Sequence, residues 1–441
     1  MTAARRMSRE GGTRPQTTQL RIDQLGANGD GLGRWLDGSP AFVPLALPGD
    51  LIEAAPTEAR GDGWAGEMLR LIEPSSARRD KPCAAFGACG GCSVQQWDDD
   101  AYAGWKRGLL VGALRRAGFA DAPVAELVRT SPHTRRRMDL ALARTGKRVV
   151  AGLHRRSGQE IIDISPCQVL EPRLVMLAGE LEDALPGLGI LRREGSALVN
   201  MTDSGFDLLL RTDSEPDAMA RRALAEFAGR AGVARISWAA TAGAKSAPET
   251  LCQLRLPAVR FNGVAVEPPP GAFLQASEAG QAAIVAAVLA GVPAKRQVKA
   301  RIFDLYAGCG TISFTLAALA PVHAVEGDAA SLAALRKSAG GGKVTAEQRD
   351  LARRPMMAAE LKNASVVVLD PPHAGAAEQT AQIAASGVPT VIYVSCHPAS
   401  LARDAAMLEG KYGVTAATPI DQFLWSARLE SVVVFQARKD R

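Results

Sequence analysis

Three acidic residues, each placed directly after an apolar stretch, constrain the fold of the C-terminal part of this chain. Asp304 follows Ile302-Phe303, Glu326 follows Val322–Val325 twenty-two residues later, and Asp370 precedes a Pro-Pro turn. A glycine loop, Ala307-Gly308-Cys309-Gly310, comes just after the first acid. Open α/β sheets bind ligands at the carboxyl ends of their parallel strands, where an acid after the second strand reaches ribose hydroxyls. The pattern predicts an α/β, Rossmann-like domain with its ligand at this edge.

A single cysteine ends another apolar stretch of the same region. Val391–Val394 has the composition of a buried strand, and Ser395-Cys396-His397-Pro398 leads from it into the helix-like segment 399–404. This places the Cys396 thiol at the ligand-binding edge of the predicted sheet, where it is the candidate nucleophile. The alternative is a small buried side chain, which is what most free cysteines are.

Three further cysteines lie within ten residues, around a Gly-Gly pair. Cys83, Cys89 and Cys92 have C-x5-C-x2-C spacing, and an odd total of seven cysteines argues against a disulfide framework. A closed metal site needs a fourth ligand. Cys167, which follows an apolar stretch in a Pro-containing turn, is the preferred candidate, and Cys252 is the alternative. Four thiolates suit either tetrahedral zinc or an iron–sulfur cluster, and the spacing does not choose between them.

The charge distribution indicates a polyanionic partner. Residues 129–156 hold nine Lys or Arg and one acid, Asp139, although the net charge of the chain is only +6. Such a run favours nucleic acid over a membrane surface, while a solvated basic face is the alternative. The longest uncharged stretch, 305–325, is interrupted by glycine and proline, and the N-terminus lacks the apolar core of a signal peptide. We therefore expect a cytoplasmic protein with no membrane association.

The periodicity predicts four regions along the chain. Residues 1–16 form a disordered basic tail, and residues 17–74, with short alternating runs between Gly-containing turns, form an OB-like β-barrel. Residues 75–265 form an α+β central domain with helices at 97–119, 172–185 and 218–232, closed by a stiff linker at 264–270. Residues 266–441 form the Rossmann-like domain.

Taken together, the motifs resemble the RNA uracil-C5 methyltransferases over residues 17–441. The barrel is similar to a TRAM domain, and Asp304–Gly310 and Ser395–Asp404 match the family's motifs. The resemblance implies a fold that binds S-adenosylmethionine, an RNA substrate and no obligate protein partner. It implies a [4Fe-4S] cluster rather than zinc, and 23S rRNA rather than tRNA as the substrate. The residues implied are Cys83, Cys89, Cys92 and Cys167 for the cluster, Gln275, Tyr306, Glu326 and Asp370 for the cofactor, Cys396 as nucleophile and Glu430 as base.

Two positions depart from the family pattern, because His373 follows Asp-Pro-Pro in place of Arg, and His397 follows Ser-Cys in place of Asn. Three other functions compete with the resemblance. An amino-methyltransferase would use the Asp-Pro-Pro turn but not the cysteine, and a non-catalytic RNA-binding factor would need neither. A radical methylthiotransferase would need C-x3-C-x2-C spacing, which this chain lacks.

Overall fold

The computed structural model describes residues 14–241, 247–294 and 301–438. The predicted basic tail, 1–16, lies outside the described residues except for its last three. The chain divides into two compact units. The described residues of the first unit are 14–82, 92–105 and 425–427, and the second unit contains 83–91, the stretch from 106 to 424, and 428–438.

A six-stranded sheet forms the first unit, over the residues for which a small barrel was predicted. Its strands are β1 (Thr18–Arg21), β2 (Gln24–Leu25), β3 (Gly31–Arg34), β4 (Pro40–Val43), β5 (Leu51–Arg60) and β6 (Gly63–Glu73). Their order is β1-β5-β6-β4-β3-β2. Alternate residues of β4 and β5 are buried, which is the period-2 pattern of a sheet with one covered face. The buried carboxylate of Asp50 fixes the chain after β6, because it accepts hydrogen bonds from Ser75 N and the Arg78 guanidinium.

Helix α1 (Asp99–Arg116) begins in the first unit and ends in the second. It lies within the predicted helix 97–119. After it, β7 (Val128–Arg129) precedes a seven-stranded sheet with two helices, as expected for an α+β region. The sheet has the order β10-β9-β8-β11-β12-β13-β14. Its strands are β8 (Arg137–Thr145), β9 (Arg148–His154), β10 (Ile161–Asp163), β11 (Glu194–Thr202), β12 (Gly205–Thr212), β13 (Val233–Ala240) and β14 (Glu249–Gln253).

Both helices of this region were predicted. They are α2 (Pro172–Ala184), followed by a 3-10 turn at Leu185–Leu188, and α3 (Ala218–Arg230). Asp217 caps α3 by accepting a hydrogen bond from Ala220 N, which satisfies one of the unpaired amides at the helix start. Helix α3 connects β12 to β13, the parallel pair of this sheet.

The prediction of a stiff linker at 264–270 is wrong for its first three residues. Strand β16 (Val264–Val266) pairs antiparallel with β15 (Val259–Phe261). The turn between them is Asn262-Gly263, with φ values of 48° and 82°, and Asn-Gly is the sequence that favours such a tight hairpin turn. Val266 is completely buried in a core that also contains Ile302. The hairpin therefore packs with the C-terminal sheet, and the linker is reduced to the residues after the hairpin, which include the three prolines.

An eight-stranded sheet positions the predicted ligand edge. Its strands are β17 (Arg301–Leu305), β18 (Val322–Glu326), β19 (Val344–Gln348), β20 (Ala364–Leu369), β21 (Thr390–Ser395), β22 (Tyr412–Asp421) and β23 (Glu430–Ala437), with β7 at one edge. The order is β19-β18-β17-β20-β21-β23-β22-β7, in which β19, β18, β17, β20 and β21 are parallel and β23 is antiparallel to both neighbours. The helices are α4 (Glu278–Gly291), α5 (Ser313–Leu316), α6 (Ala329–Ala339), α7 (Ala377–Ser386) and α8 (Pro398–Ala405). The Rossmann-like expectation is confirmed.

Both faces of this sheet are covered, which explains why its central strands read as continuous apolar runs. Along β21, Val391 and Tyr393 belong to one hydrophobic core, and Ile392 and Val394 belong to the other. The first core also contains Leu110 and other residues from the end of α1. None of the helices in the described parts of the chain is long and apolar enough to cross a membrane.

Candidate active site

The glycine loop after β17 organises the carboxylate of Glu326. Gly308 N donates to Glu326 Oε2 over 2.8 Å, and Asp328 N donates to Glu326 Oε1 over 2.7 Å. Tyr306 at φ 62° and Gly308 at φ 55° turn the chain back toward β18, and a Cβ on Gly310 would lie 2.6 Å from the Phe314 ring. The predicted spacing therefore holds this acid at the strand end, with further lone pairs on each oxygen for a ligand.

Asp304 is the buried acid at the end of β17. Its Oδ2 accepts a hydrogen bond from Ser313 Oγ, while Oδ1 has no hydrogen-bond partner within the described part of the chain. Burial, together with the neighbouring carboxylates of Asp370 and Glu326, raises the pKa of Asp304 to about 7. Burial also raises the pKa of Asp370, at the end of β20, to about 7. A cationic ligand beside these two residues would lower both pKa values, because a nearby positive charge favours the ionised carboxylate.

Cys396 lies where β21 ends and α8 begins. Strand β21 is buried along its whole length, and the thiol after it is half-buried. The backbone turn is held by Ser395, whose Oγ accepts from His397 N over 3.2 Å. Burial, with smaller contributions from Glu430 and Asp370, raises the pKa of the Cys396 thiol to about 11, although Arg428 acts to lower it.

Glu430 is the first residue of β23, the antiparallel neighbour of β21. The register pairs Ser395 with Ser431, so the chain leaves β21 at Cys396 beside the point where Glu430 enters β23. The Glu430 side chain is only 3% exposed. Burial raises its pKa well above the usual range, and the charge of Asp370 adds to this. The structure therefore brings the predicted nucleophile and the predicted base to adjacent strand ends.

Gln422 links these residues, and no sequence pattern identified it. Its Nε2 donates to Glu430 Oε2 over 2.7 Å and to Gln275 Oε1 over 2.8 Å. Gln275 Nε2 in turn lies 3.5 Å from Asp370 Oδ2, at the long limit for a hydrogen bond. A chain of amides thus connects a predicted cofactor residue to the predicted base. Gln422 and Gln275 are 147 residues apart, so only the fold could show the contact.

The two histidines that depart from the family pattern stack on each other beside Cys396. Their ring centroids are 3.9 Å apart with an interplanar angle of 23°. His397 Nδ1 is buried without a hydrogen-bond partner among the described residues. Burial lowers the His397 pKa, and the charges of His373 and Arg428 lower it further. This imidazole is therefore neutral at physiological pH.

The basic run divides between structural and exposed side chains. Arg136 is mostly buried, and it donates to Gln275 O over 3.3 Å and to Gln281 Oε1 over 2.8 Å. Arg144 donates to two backbone carbonyls. Arg148 and Arg155 are exposed. The interpretation of the whole run as an RNA-binding surface is therefore wrong for Arg136, which supports the Gln275 loop.

Three of the four predicted cluster cysteines lie in the second unit. Burial raises the pKa of the Cys89 thiol, and the neighbouring Cys167 and Cys83 contribute to the rise. Gly90 N donates to His154 O, which holds this segment along β9. Cys92 belongs to the first unit. In the described ranges, no three His, Cys, Asp or Glu side chains stand at the separations of a metal site. Cys252 lies in β14, where it pairs with Ile236 of β13, and it packs against the same hydrophobic core as Cys167. The cluster stays a prediction.

Comparison with known proteins places the chain in a family. Residues 337–438 match the model for tRNA (uracil-5-)-methyltransferases. An RNA methyltransferase of Brucella suis is 39% identical over 431 residues, which is 96% of this chain and 98% of that protein. The 23S rRNA (uracil(1939)-C(5))-methyltransferase of Halomonas elongata is 33% identical, and the alignment covers 95% of this chain and 89% of that protein.

A solved structure shares the fold. The tRNA (uracil-54, C5)-methyltransferase of Pyrococcus abyssi, in complex with S-adenosyl-L-homocysteine, matches with a TM-score of 0.71 at 20% identity and covers 95% of this chain and 99% of that one. The family model and the sequence relatives indicate the same family. The chain belongs to the RNA (uracil-5-)-methyltransferase family of S-adenosylmethionine-dependent enzymes.

Proposed function

We propose that this enzyme methylates C5 of a specific uridine in 23S rRNA, with Cys396 as the nucleophile and Glu430 as the base. The observation that carries the proposal is the placement of a thiol and a buried carboxylate at adjacent strand ends, beside acids suited to a cationic nucleoside. A binding factor without catalysis would gain nothing from burying Glu430, because a buried carboxylate costs stability.

Cys396 activates the base. C5 of uracil is too weak a nucleophile to be methylated directly, so the Cys396 thiolate adds to C6 and the ring electrons move toward C5 and O4. C5 then takes the methyl group. Since the free thiol has a raised pKa, it is protonated at neutral pH in the free enzyme. Arg428 is the neighbouring charge that favours the thiolate, and it lies on the same segment as Glu430.

Glu430 completes the reaction. After methyl transfer, C5 still carries its hydrogen, and Glu430 removes it as a proton. The electrons of the C5–H bond re-form the C5=C6 double bond and expel the Cys396 thiolate, and the enzyme is regenerated once Glu430 has lost its proton and the thiolate has gained one. Burial makes Glu430 a stronger base than an exposed glutamate, and its Oε1 has no partner among the described residues and is free to take the proton.

The residues at the strand ends fit S-adenosylmethionine, which would supply the methyl group as a sulfonium. Glu326, held by two backbone amides, is suited to the ribose hydroxyls. The unpartnered Oδ1 of Asp304 and the raised pKa of Asp370 fit a cationic ligand. Tyr306 lies in the loop after β17, Gln275 Nε2 lies 3.5 Å from Asp370 Oδ2, and the two residues complete the proposed set.

A [4Fe-4S] cluster held by Cys83, Cys89, Cys92 and Cys167 is the second part of the proposal. Two backbone amides, Gly91 N and Leu170 N, lie 3.4 Å from Cys89 Sγ and 3.5 Å from Cys167 Sγ. Such N–H···S contacts suit thiolate ligands, whose negative charge they stabilise. The methyl transfer moves no net electrons, so the cluster would have a structural role. Anaerobically purified protein should be brown, and Cys89→Ser should lose iron; a colourless, zinc-loaded and active preparation would contradict this.

The choice of 23S rRNA over tRNA rests on the relatives that share the whole chain. The Halomonas elongata enzyme named above acts on 23S rRNA, and 89% of its length aligns. The Pyrococcus abyssi tRNA enzyme, at 20% identity, supports the fold alone. A stacked base must leave the duplex before Cys396 can reach it, which favours a single-stranded or flipped uridine. We expect the reaction to take place in the cytoplasm.

The experiment follows the covalent adduct. Purified enzyme is incubated with 23S rRNA fragments and S-adenosylmethionine, and the products are separated on a denaturing gel. Glu430→Gln should accumulate a nuclease-sensitive band of retarded mobility, because it can add and methylate but cannot release. Cys396→Ala should form no such band and no 5-methyluridine. Full turnover by Cys396→Ala would refute the proposal and favour amino-group methylation, and loss of 5-methyluridine from tRNA instead of rRNA in a deletion strain would reassign the substrate.

A further inference from the structure

Gln422 has every polar atom of its side chain engaged. Nε2 donates its two hydrogens to Gln275 Oε1 and Glu430 Oε2, and Oε1 accepts from Ala276 N over 3.2 Å. The side chain is only 3% exposed. Its position is also fixed sterically, because a Cβ on Gly280 would lie 2.7 Å from Gln422 Cβ. One orientation of this amide therefore satisfies all three contacts.

This orientation determines the orientation of the next amide. Because Gln422 presents N–H groups to Gln275, the oxygen of Gln275 must face Gln422, and its NH2 group faces Asp370. The same Gln422 nitrogen fixes Glu430 Oε2, which leaves Oε1 as the oxygen available for a proton. The side chains at the cofactor end and at the base are thus oriented by a single donor group.

We propose that Gln422 is a positioning residue that orients Glu430 for removal of the C5 proton and, through Gln275, orients the cofactor end of the same site. The inference rests on the proposed function, because it takes Glu430 as the base. Gln422 has no direct part in bond making. Its loss should therefore slow the release step and weaken cofactor binding while leaving attack by Cys396 intact.

The test uses Gln422→Met, which keeps the length of the side chain and removes its donors. Single-turnover reactions should show adduct release slowed by about tenfold to a hundredfold, the range for losing one hydrogen bond to a charged group. The Gln422 hydrogen bond lowers the pKa of Glu430, so its removal should raise that pKa. The increase of the release rate with pH should therefore occur at higher pH in the variant. The KM for S-adenosylmethionine should rise, because Gln275 loses the donor that orients its side chain.

Gln379→Met is the matched control. Gln379 is also fully buried in the second unit, but among the described residues its side chain bonds only to the backbone of Met356, with Met356 N donating over 2.8 Å. The Gln379→Met variant should be less stable than the parent but should release the adduct at the parent rate. Gln422→Asn, which keeps an amide but is too short for both contacts, provides a second variant with less loss of polarity and should also slow release.

The possible failures are distinct. If Gln422→Met and Gln422→Asn release the adduct at the parent rate while Glu430→Gln still traps it, the inference is wrong and the proposed function stands. If Gln379→Met slows release equally, the effect is general loss of stability and the inference is also wrong. If Glu430→Gln traps no adduct, the proposed role of Glu430 fails first.

Discussion

The free enzyme should hold Cys396 as an unreactive thiol, and removing the Glu430 charge should make it more reactive. The thiol pKa is raised from 9.0 to about 11, first by burial and then by Glu430 and Asp370. At pH 8 the ionised fraction falls from about 9% to about 0.1%, so alkylation should be slower by about a hundredfold. Solvent screens part of this effect at a half-exposed group, and we expect a reduction between about tenfold and a hundredfold.

The assay is alkylation with iodoacetamide between pH 7 and pH 11, with Cys396 followed by peptide mass spectrometry because the chain has seven cysteines. The rate for the parent enzyme should still be rising at pH 10. Glu430→Gln removes the largest cause of the raised pKa after burial and should speed alkylation at pH 9 by up to about tenfold. Glu409→Gln, a change to an exposed carboxylate that is not among the causes of the shift, should leave the rate unchanged.

Two results would refute this reasoning. Alkylation of the parent at pH 8 as fast as that of a small-molecule thiol would mean that burial does not suppress ionisation. Slower alkylation in Glu430→Gln than in the parent would mean that Glu430 acts on Cys396 as a base in the free enzyme, rather than as a repelling charge.

Three further predictions concern stability and RNA binding. Asp304→Asn should stabilise the cofactor-free protein by up to about 4 kcal/mol at pH 8 and by less at pH 5. The reason is that a carboxyl whose pKa rises from 3.8 to about 7 on folding loses its favourable contribution to stability as the pH rises through 7. Melting temperatures at both pH values check this, and a lower melting temperature of the variant at pH 8 would contradict it. Lys106→Met breaks an ion pair in which both side chains are fully buried, and it should lower the free energy of unfolding in urea by about 3–5 kcal/mol. Lys337→Met breaks an ion pair whose lysine is largely exposed, and it should lower that free energy by less than about 1 kcal/mol. Neutralising the exposed Arg148 and Arg155 should flatten the salt dependence of RNA binding without changing the melting temperature, and an unchanged slope would leave them as a solvated face.

The order of elements in the Rossmann-like part followed from the sequence alone. Each central strand is apolar along its length because both faces of the sheet are covered, and each ends at an acid or at Cys396. Parallel strands bring such ends to one edge, so Asp304, Glu326 and Cys396 could be placed together before the structure was known. The helices at 172–185 and 218–232 were also predictable, since Pro172 and Asp217 mark their starts.

The tertiary structure decided the contacts that cross long stretches of chain. Gln422 and Arg136 carry no local pattern, yet one joins Gln275 to Glu430 and the other supports the Gln275 loop. A charged residue in a basic run has the same sequence signature whether it contacts RNA or the protein interior, and burial alone separates the two. The stacking of His373 on His397 likewise depends on the β20 and β21 ends being neighbours. Sequence periodicity determines which face of an element is buried, whereas hydrogen bonds between side chains depend on distances of a few tenths of an ångström that only the packed fold sets.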